Sequence, residues 1–253
     1  MRSIRFSLLL FLFSLVLVCA CGNPMRGKEW TIAFDSSWFP MNFMGRDKQI
    51  LGFTTELLQE MGALQKINVV KVNENWDNLI PNLQKEKYDA ILSSMQPYVF
   101  YEKQYDFSHP FLLTGPVLVL PFDSMVTSFE QLSGKEIAII TGSADALLIE
   151  KFPGIIIRTF ESIPDAFNAI VSGNVDGAVV DSLPAYAYCQ DLYQNQLKVV
   201  GAPLTDQGLR MVALHDRAPA LIESFNATID KLKKSGKYAD LSRKWGLPII
   251  QEK

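Results

Sequence analysis

Two successive alternations of strand-like and helix-like runs constrain this chain more than any other feature. "WTIAF" (30–34) is apolar and β-rich. "GFTTELLQEMGALQ" carries Phe53, Leu57, Leu58 and Met61 at helical spacing, and "INVVKV" reads as a strand. "NWDNLIPNLQKEK" reads as a helix, with Asn75 as N-cap and Pro81 as a kink point, and "YDAILSS" as a strand. The order β-α-β-α-β gives a parallel sheet with helices on both faces. After the β-rich run "GPVLVLP" (115–121) and a short helix "FEQLSG", the pattern restarts. "KEIAII", "GIIIRTF", "VDGAVVD", "LKVVG" and "LRMVAL" are strands; "TGSADALLIEKF", "IPDAFNAIVSGN" and "LPAYAYCQDLY" carry helices between them. One long or two short helices close the chain, with Gly236 as the break point.

Two α/β halves follow one another without a Gly/Ser-rich linker, which predicts two lobes joined by strands. If the closing helices pack back on the first half, that lobe is discontinuous and the chain crosses twice. The expected lobes are 30–113 with 209–253, and 114–208. Two crossings restrict relative motion to a hinge. Parallel sheets bind ligands beyond the C-terminal ends of their strands, so the cleft between the lobes is the expected site.

The N-terminus carries a different signal. Arg2 and Arg5 precede the apolar run "FSLLLFLFSLVLV", which is short for a membrane span and reads as an export signal over 1–20. It ends in "VCAC". A small residue before Cys21 resembles the bacterial lipobox, and that resemblance implies cleavage before Cys21 and acylation, palmitate included, of its sulfur and amine. Several chains together anchor stably. Ordinary signal cleavage and an uncleaved anchor helix are the alternatives. "CGNPMRGKE" (21–29) is then a tether. Loss of Arg2 and Arg5 changes 24 basic against 27 acidic residues to 22 against 27. A mildly acidic chain does not suit nucleic acid, whose phosphates need clustered basic surface. Of the three cysteines, Cys19 leaves with the signal, Cys21 is the lipid site, and Cys189 has no partner for a disulfide; it reads as a small buried apolar residue. His109 and His215 lie far apart in sequence without metal-ligand spacing, so no metal or cofactor is expected.

The stretches "LGFTTELLQEM", "WDNLIPNLQKEKYDAILSSM", "YDFSHPF", "LSGKEIAIITGSA", "VSGNVDGAVVDS" and "LKKSGKYADLSRKWG" occur in this order. Together they resemble the family 3 solute-binding proteins of bacterial ABC importers, the polar amino acid group. The resemblance covers nearly all of 30–247. It implies a two-lobed, type II periplasmic binding protein fold of class α/β, in which each lobe is a mostly parallel sheet flanked by helices. It also implies a monomer that clamps one amino acid, or a related amine or peptide, and delivers it to ABC permease subunits. Its place would be the periplasmic side of a bacterial membrane or the cell surface, held by the lipid on Cys21.

The same resemblance distributes site roles, each beside a plainer reading. Trp38 either packs under its loop or forms an aromatic wall for the ligand, and Trp76, at a helix start, is the candidate for the opposite wall. Ser93 and Ser94 end a strand; they either cap the next turn or hold the ligand's ammonium and carboxylate. Ser143 and Ala144 follow Gly142 at a helix N-terminus, where amides welcome an anion and where the family holds the ligand carboxylate. Asp145 is either a helix-start carboxylate or a contact to the ligand side chain. Asp181 closes an apolar strand, where a carboxylate is costly unless paired; the family uses an acid there to bind the ligand ammonium, and an N-cap role is the alternative.

One position departs from the family pattern. The family's Arg seven residues after the second serine, which takes the ligand carboxylate, is here Tyr101, a neutral phenol. Either Ser143, Ala144 and Tyr101 hold the carboxylate alone, or the ligand presents none there. Lys103 and Arg210 are the candidate substitutes. A cyclohexadienyl-dehydratase-like enzyme on the same fold, with Asp145 or Asp181 as acid, and a non-transport sensory lipoprotein are the alternative functions. The missing Arg and the lack of a nucleophile–base pair argue against the enzyme.

Overall fold

The computed structural model describes residues 27–38, 41 and 43–249. The signal stretch 1–20, Cys21 and the tether up to residue 26 lie outside the described residues. In chain order the elements are β1 (Glu29–Phe34), α1 (Asp47–Gln65), β2 (Asn68–Asn73), α2 (Trp76–Gln84), β3 (Ala90–Ser93), β4 (Tyr105–Phe107), β5 (Leu112–Leu113) and β6 (Pro116–Pro121). A 3-10 turn (Phe129–Leu132) precedes β7 (Glu136–Ile140), α3 (Asp145–Ile149), β8 (Ile156–Phe160), α4 (Ile163–Val171), β9 (Gly177–Asp181), α5 (Ser182–Asp191), β10 (Leu197–Val200) and β11 (Gly208–Leu214). Two helices close the chain, α6 (Pro219–Lys234) and α7 (Lys237–Lys244), broken at Gly236, whose φ of 77° is left-handed.

The strands form two sheets. The first runs β2-β1-β3-β11-β4, with β5 also on β11; the second runs β10-β6-β9-β7-β8. Both are mixed. β1, β2 and β3 are parallel, as are β7, β8 and β9, but β11 lies antiparallel to β3 and β6 antiparallel to β9. The reversal follows from the crossings: a strand entering a sheet at the C-terminal ends of its neighbours must run against them.

The pleat sorts side chains by period two. In the first sheet Ile32, Phe34, Leu92, Met211 and Ala213 face one core with α1 and α6, while Ala33, Ile91 and Val212 face the other, under α2. In the second sheet Val117, Val119, Ala138 and Val180 pack against Phe167 of α4, while Leu118, Leu120, Ile137, Ile139 and Val179 face the 3-10 turn. Buried on both faces, these strands read as continuous apolar runs. Asn75 caps α2 by accepting from the Asp77 amide at 2.9 Å. Cys189 is half-buried against the second lobe's core, and burial pushes its thiol up to about 12.

The two crossings lie side by side. The Thr114 amide donates to the Gln207 carbonyl at 2.8 Å, and Gly208 pairs with Leu113. A Cβ on Gly208 would stand 2.4 Å from the Leu112 carbonyl oxygen, so only glycine admits this approach.

Candidate ligand-binding site

In the first lobe the parallel strands end together. β1 ends at Phe34, paired with Leu92 of β3 and Asn73 of β2. Asp35 follows, and its carboxylate organises what comes next. Oδ1 accepts from the Ser37 amide at 2.8 Å and the Ser37 hydroxyl at 2.6 Å; Oδ2 accepts from the Trp76 amide at 2.8 Å. Asp35 therefore ties the Trp38 turn to the start of α2. Trp76 is half-buried there. Trp38 is 3% exposed, stacked on Phe34 at 6.0 Å and tilted against Phe111 at 6.5 Å, with a φ of 56°. Its ring is part of the lobe's core.

Ser93 is buried, and its hydroxyl accepts from the Met95 amide at 3.1 Å, which caps the turn. Ser94 is half-buried, and its carbonyl accepts from Gln96 Nε2 at 2.6 Å. The same amide nitrogen donates to the Gly208 carbonyl at 3.0 Å, bracing the serine loop on the second crossing. Beyond it the chain turns helically: the Tyr101 amide donates to the Tyr98 carbonyl at 2.7 Å, and that of Tyr105 to the Tyr101 carbonyl at 2.9 Å. Tyr101 contacts Phe100 at 4.2 Å and Tyr105 at 6.2 Å between centroids. Tyr98 is 51% and Phe100 61% exposed, so this loop presents aromatic surface to solvent.

In the second lobe β7 and β9 are parallel neighbours, with Ala138 beside Ala178. Continued three residues, that register sets Thr141 beside Asp181. Ser143, Ala144, Asp145 and Asp181 thus gather at one sheet end. Asp181 precedes α5 but makes no side-chain capping bond. Its neighbour Ser182 is fully buried, and its hydroxyl donates to the Leu113 carbonyl at 3.1 Å, its amide to the Gly115 carbonyl at 3.1 Å. These bonds set Asp181 against the first crossing, opposite Pro116. Leu183, one residue further, packs into the first lobe's core.

The electrostatics of this corner are unfavourable to the protein's own charges. Asp145 is 8% exposed; burial raises its pKa, against the opposing effect of the Ser143 hydroxyl. Asp181 reaches water, yet protein surrounds it closely enough that desolvation, and then the charge of Asp145, push its carboxyl up to about 6. Two desolvated carboxylates without a salt bridge among the described residues have the chemistry to accept a cation.

Arg210 is elsewhere engaged. It is buried and paired in register with Ser93. Nη1 donates to the Ser108 carbonyl at 3.0 Å; Nη2 donates to the Asp206 carbonyl at 2.7 Å and to Asp206 Oδ2 at 2.8 Å. It braces the second crossing. Lys103 is exposed. Away from this site, Asp106, His215 and Asp216 gather on the surface. His215 Nδ1 lies 2.8 Å from Asp106 and Nε2 3.5 Å from Asp216, so both ring nitrogens already face carboxylates. The hydrogen bond to Asp106, then the charge of Asp216, raise the pKa of His215, which suits an imidazolium held between two acids. Asp35 and Gln96 are residues that sequence reasoning missed; for Asp35 the available signal was an acid directly after an apolar strand.

The sequence profile of the bacterial extracellular solute-binding proteins, family 3, matches residues 30–248. The L-cystine-binding protein TcyJ of Escherichia coli K12 is 23% identical over 217 residues, covering 85% of this chain and 81% of that protein. The ABC transporter glutamine-binding protein GlnH of Bacillus subtilis is 27% identical over 271 residues, covering 97% of each. Among solved structures, the L-cystine solute receptor of Neisseria gonorrhoeae in its unliganded open conformation superposes with a TM-score of 0.70 at 18% identity, covering 90% of this chain and 97% of that one. The fold is that of the type II periplasmic binding proteins, and the named relatives are transport binding proteins, not enzymes. The chain belongs to the family 3 bacterial extracellular solute-binding proteins.

Proposed function

We propose that this chain is the lipid-anchored substrate-binding component of an ABC importer, which captures a small amino-acid-like solute in a cleft between its lobes. The lobes are 30–113 with 209–253, and 114–208. Cys21 carries the lipid, so the protein works as a tethered monomer on the periplasmic side of a bacterial membrane or at the cell surface, handing its solute to permease subunits. The observation that carries the reading is the arrangement of Asp181: a carboxylate at the end of a buried strand, uncapped, beside the crossing that joins the lobes. It grips the cationic group of the solute. Ser93, Ser94, Ser143 and Ala144 supply hydroxyls and amides around it, Asp145 and Tyr101 meet the remainder, and Trp76 walls the first-lobe side. The relatives' names support the solute class, since they bind cystine and glutamine.

Calorimetric titration of the purified full chain with the standard amino acids, small amines and short peptides tests this. Saturable heat with one of them is expected. No heat and no thermal shift with any of them contradicts it.

A further inference from the structure

The charges of this corner say more about the solute than the relatives' names do. Resting on the reading of this corner as the capture site, we propose that the solute is an organic cation, an amine recognised by its positive charge and without need of a free α-carboxylate.

A zwitterion needs a cation or a free helix N-terminus for its carboxylate. All five described arginines are engaged elsewhere. Arg46 bonds Asp191 and the Gly246 carbonyl, Arg158 pairs with Glu136, and Arg210 holds Asp206 and the Ser108 carbonyl. Arg217 pairs with Glu86, and Arg243 with Asp240. Two helix N-termini lie beside Asp181. That of α5 follows it directly, but its Ser182 amide already donates to the Gly115 carbonyl at 3.1 Å and Pro184 has no N–H to offer. The other is that of α3. It spans only five residues and already carries the protein's own acid, Asp145, in its first turn. A ligand carboxylate placed there meets Asp145 and Asp181 with little to offset them. A ligand ammonium meets two carboxylates, and its arrival removes the repulsion between them.

The first lobe adds an independent feature of the same sign. Tyr98, Phe100 and Tyr101 form a contiguous ring cluster on the loop that leaves Ser94, with Tyr98 and Phe100 more than half exposed. Aromatic faces attract cations and give nothing to carboxylates. Serine hydroxyls at the end of β3 accept from an ammonium as readily as they donate to an anion. The second lobe thus carries acids beside β9, and the first carries π-faces and hydroxyls on the loop that leaves β3.

Matched pairs that differ only in the carboxylate test the proposal: lysine against cadaverine, and arginine against agmatine, titrated into the purified full chain, with glutamine and cystine as zwitterionic probes. The decarboxylated member of at least one pair is expected to bind as tightly as its amino acid or tighter. In the Asp145→Asn variant, checked for an unchanged circular dichroism spectrum, amine binding should weaken by about tenfold or more. Tighter binding of the carboxylate-bearing member in both pairs overturns the proposal and leaves solute capture standing. Binding of glutamine or cystine without either amine does the same. Silence of every probe overturns the proposal and counts against capture as well.

Discussion

Asp181 ends β9, Asp145 opens α3 just beyond the neighbouring parallel strand β7, and the charge of Asp145 raises the pKa of Asp181. Neither is spent on a salt bridge among the described residues, and Asp181 does not cap the helix that it precedes. Such a pair is destabilising in the empty protein, and under the proposed function a bound cation relieves it.

The Asp181→Asn variant should therefore lose binding and gain stability. Removing a charge-assisted hydrogen bond to an ammonium costs about tenfold or more in affinity. The empty variant should melt at a higher temperature than the parent at pH 7, because the desolvated, repelled charge is gone. Calorimetry and thermal melts read the two effects in opposite directions.

pH should act with the same sign. The folded pKa of Asp181 is raised to about 6, above its ordinary value. An acid raised on folding costs stability above its folded pKa, and the cost fades as pH falls through that value. The empty protein should thus gain stability from this group between pH 7 and 5, while affinity for a cationic solute falls over the same interval as the carboxylate is neutralised. Titrations at pH 7.5 and 5 check it. Affinity that is flat across that window speaks against Asp181 as the cation's partner.

Tyr101→Arg places a fork where the family resemblance expects one. Affinity for α-amino acids should rise by about tenfold, the order of difference between a neutral and a charge-assisted bond. Affinity for simple amines should fall, since the new guanidinium repels them.

Gly208→Ala probes the hinge. The added methyl would lie 2.4 Å from the Leu112 carbonyl oxygen and 2.9 Å from Pro110 Cβ. The crossings must separate, at a cost of about 1–3 kcal/mol as for other overpacked sites. A lower denaturation midpoint in urea with an unchanged slope is the expected reading.

Asp35→Ala should loosen the first-lobe side of the site. It strips acceptors from the Trp76 amide and the Ser37 turn. The loss should be about 1–3 kcal/mol of stability, with weaker solute binding.

Much of this was legible in the residues. Apolar runs such as Ala90–Leu92 and Ala178–Val180 mark strands buried on both faces, and Asn75, Gly236 and the helical spacing of Phe53, Leu57 and Met61 mark helices and their ends. β4 was not visible, since three residues alternating only once carry no period. The alternation announced the parallel strands, but the antiparallel setting of β6 and β11 was hidden, because periodicity is the same for both directions. The site divides likewise. The acids and serines stand at strand ends that the chain announces. The burial of Trp38 and the bracing by Asp35 and Gln96 depend on partners 41 and 112 residues away, which no local pattern encodes.

The most direct measurement is a crystal structure of the protein with its tightest-binding solute. The solute is expected between the lobes, its ammonium within hydrogen-bond distance of the Asp181 carboxylate. A solute bound elsewhere, or an Asp181 turned away from it toward bulk water, would contradict the capture mechanism.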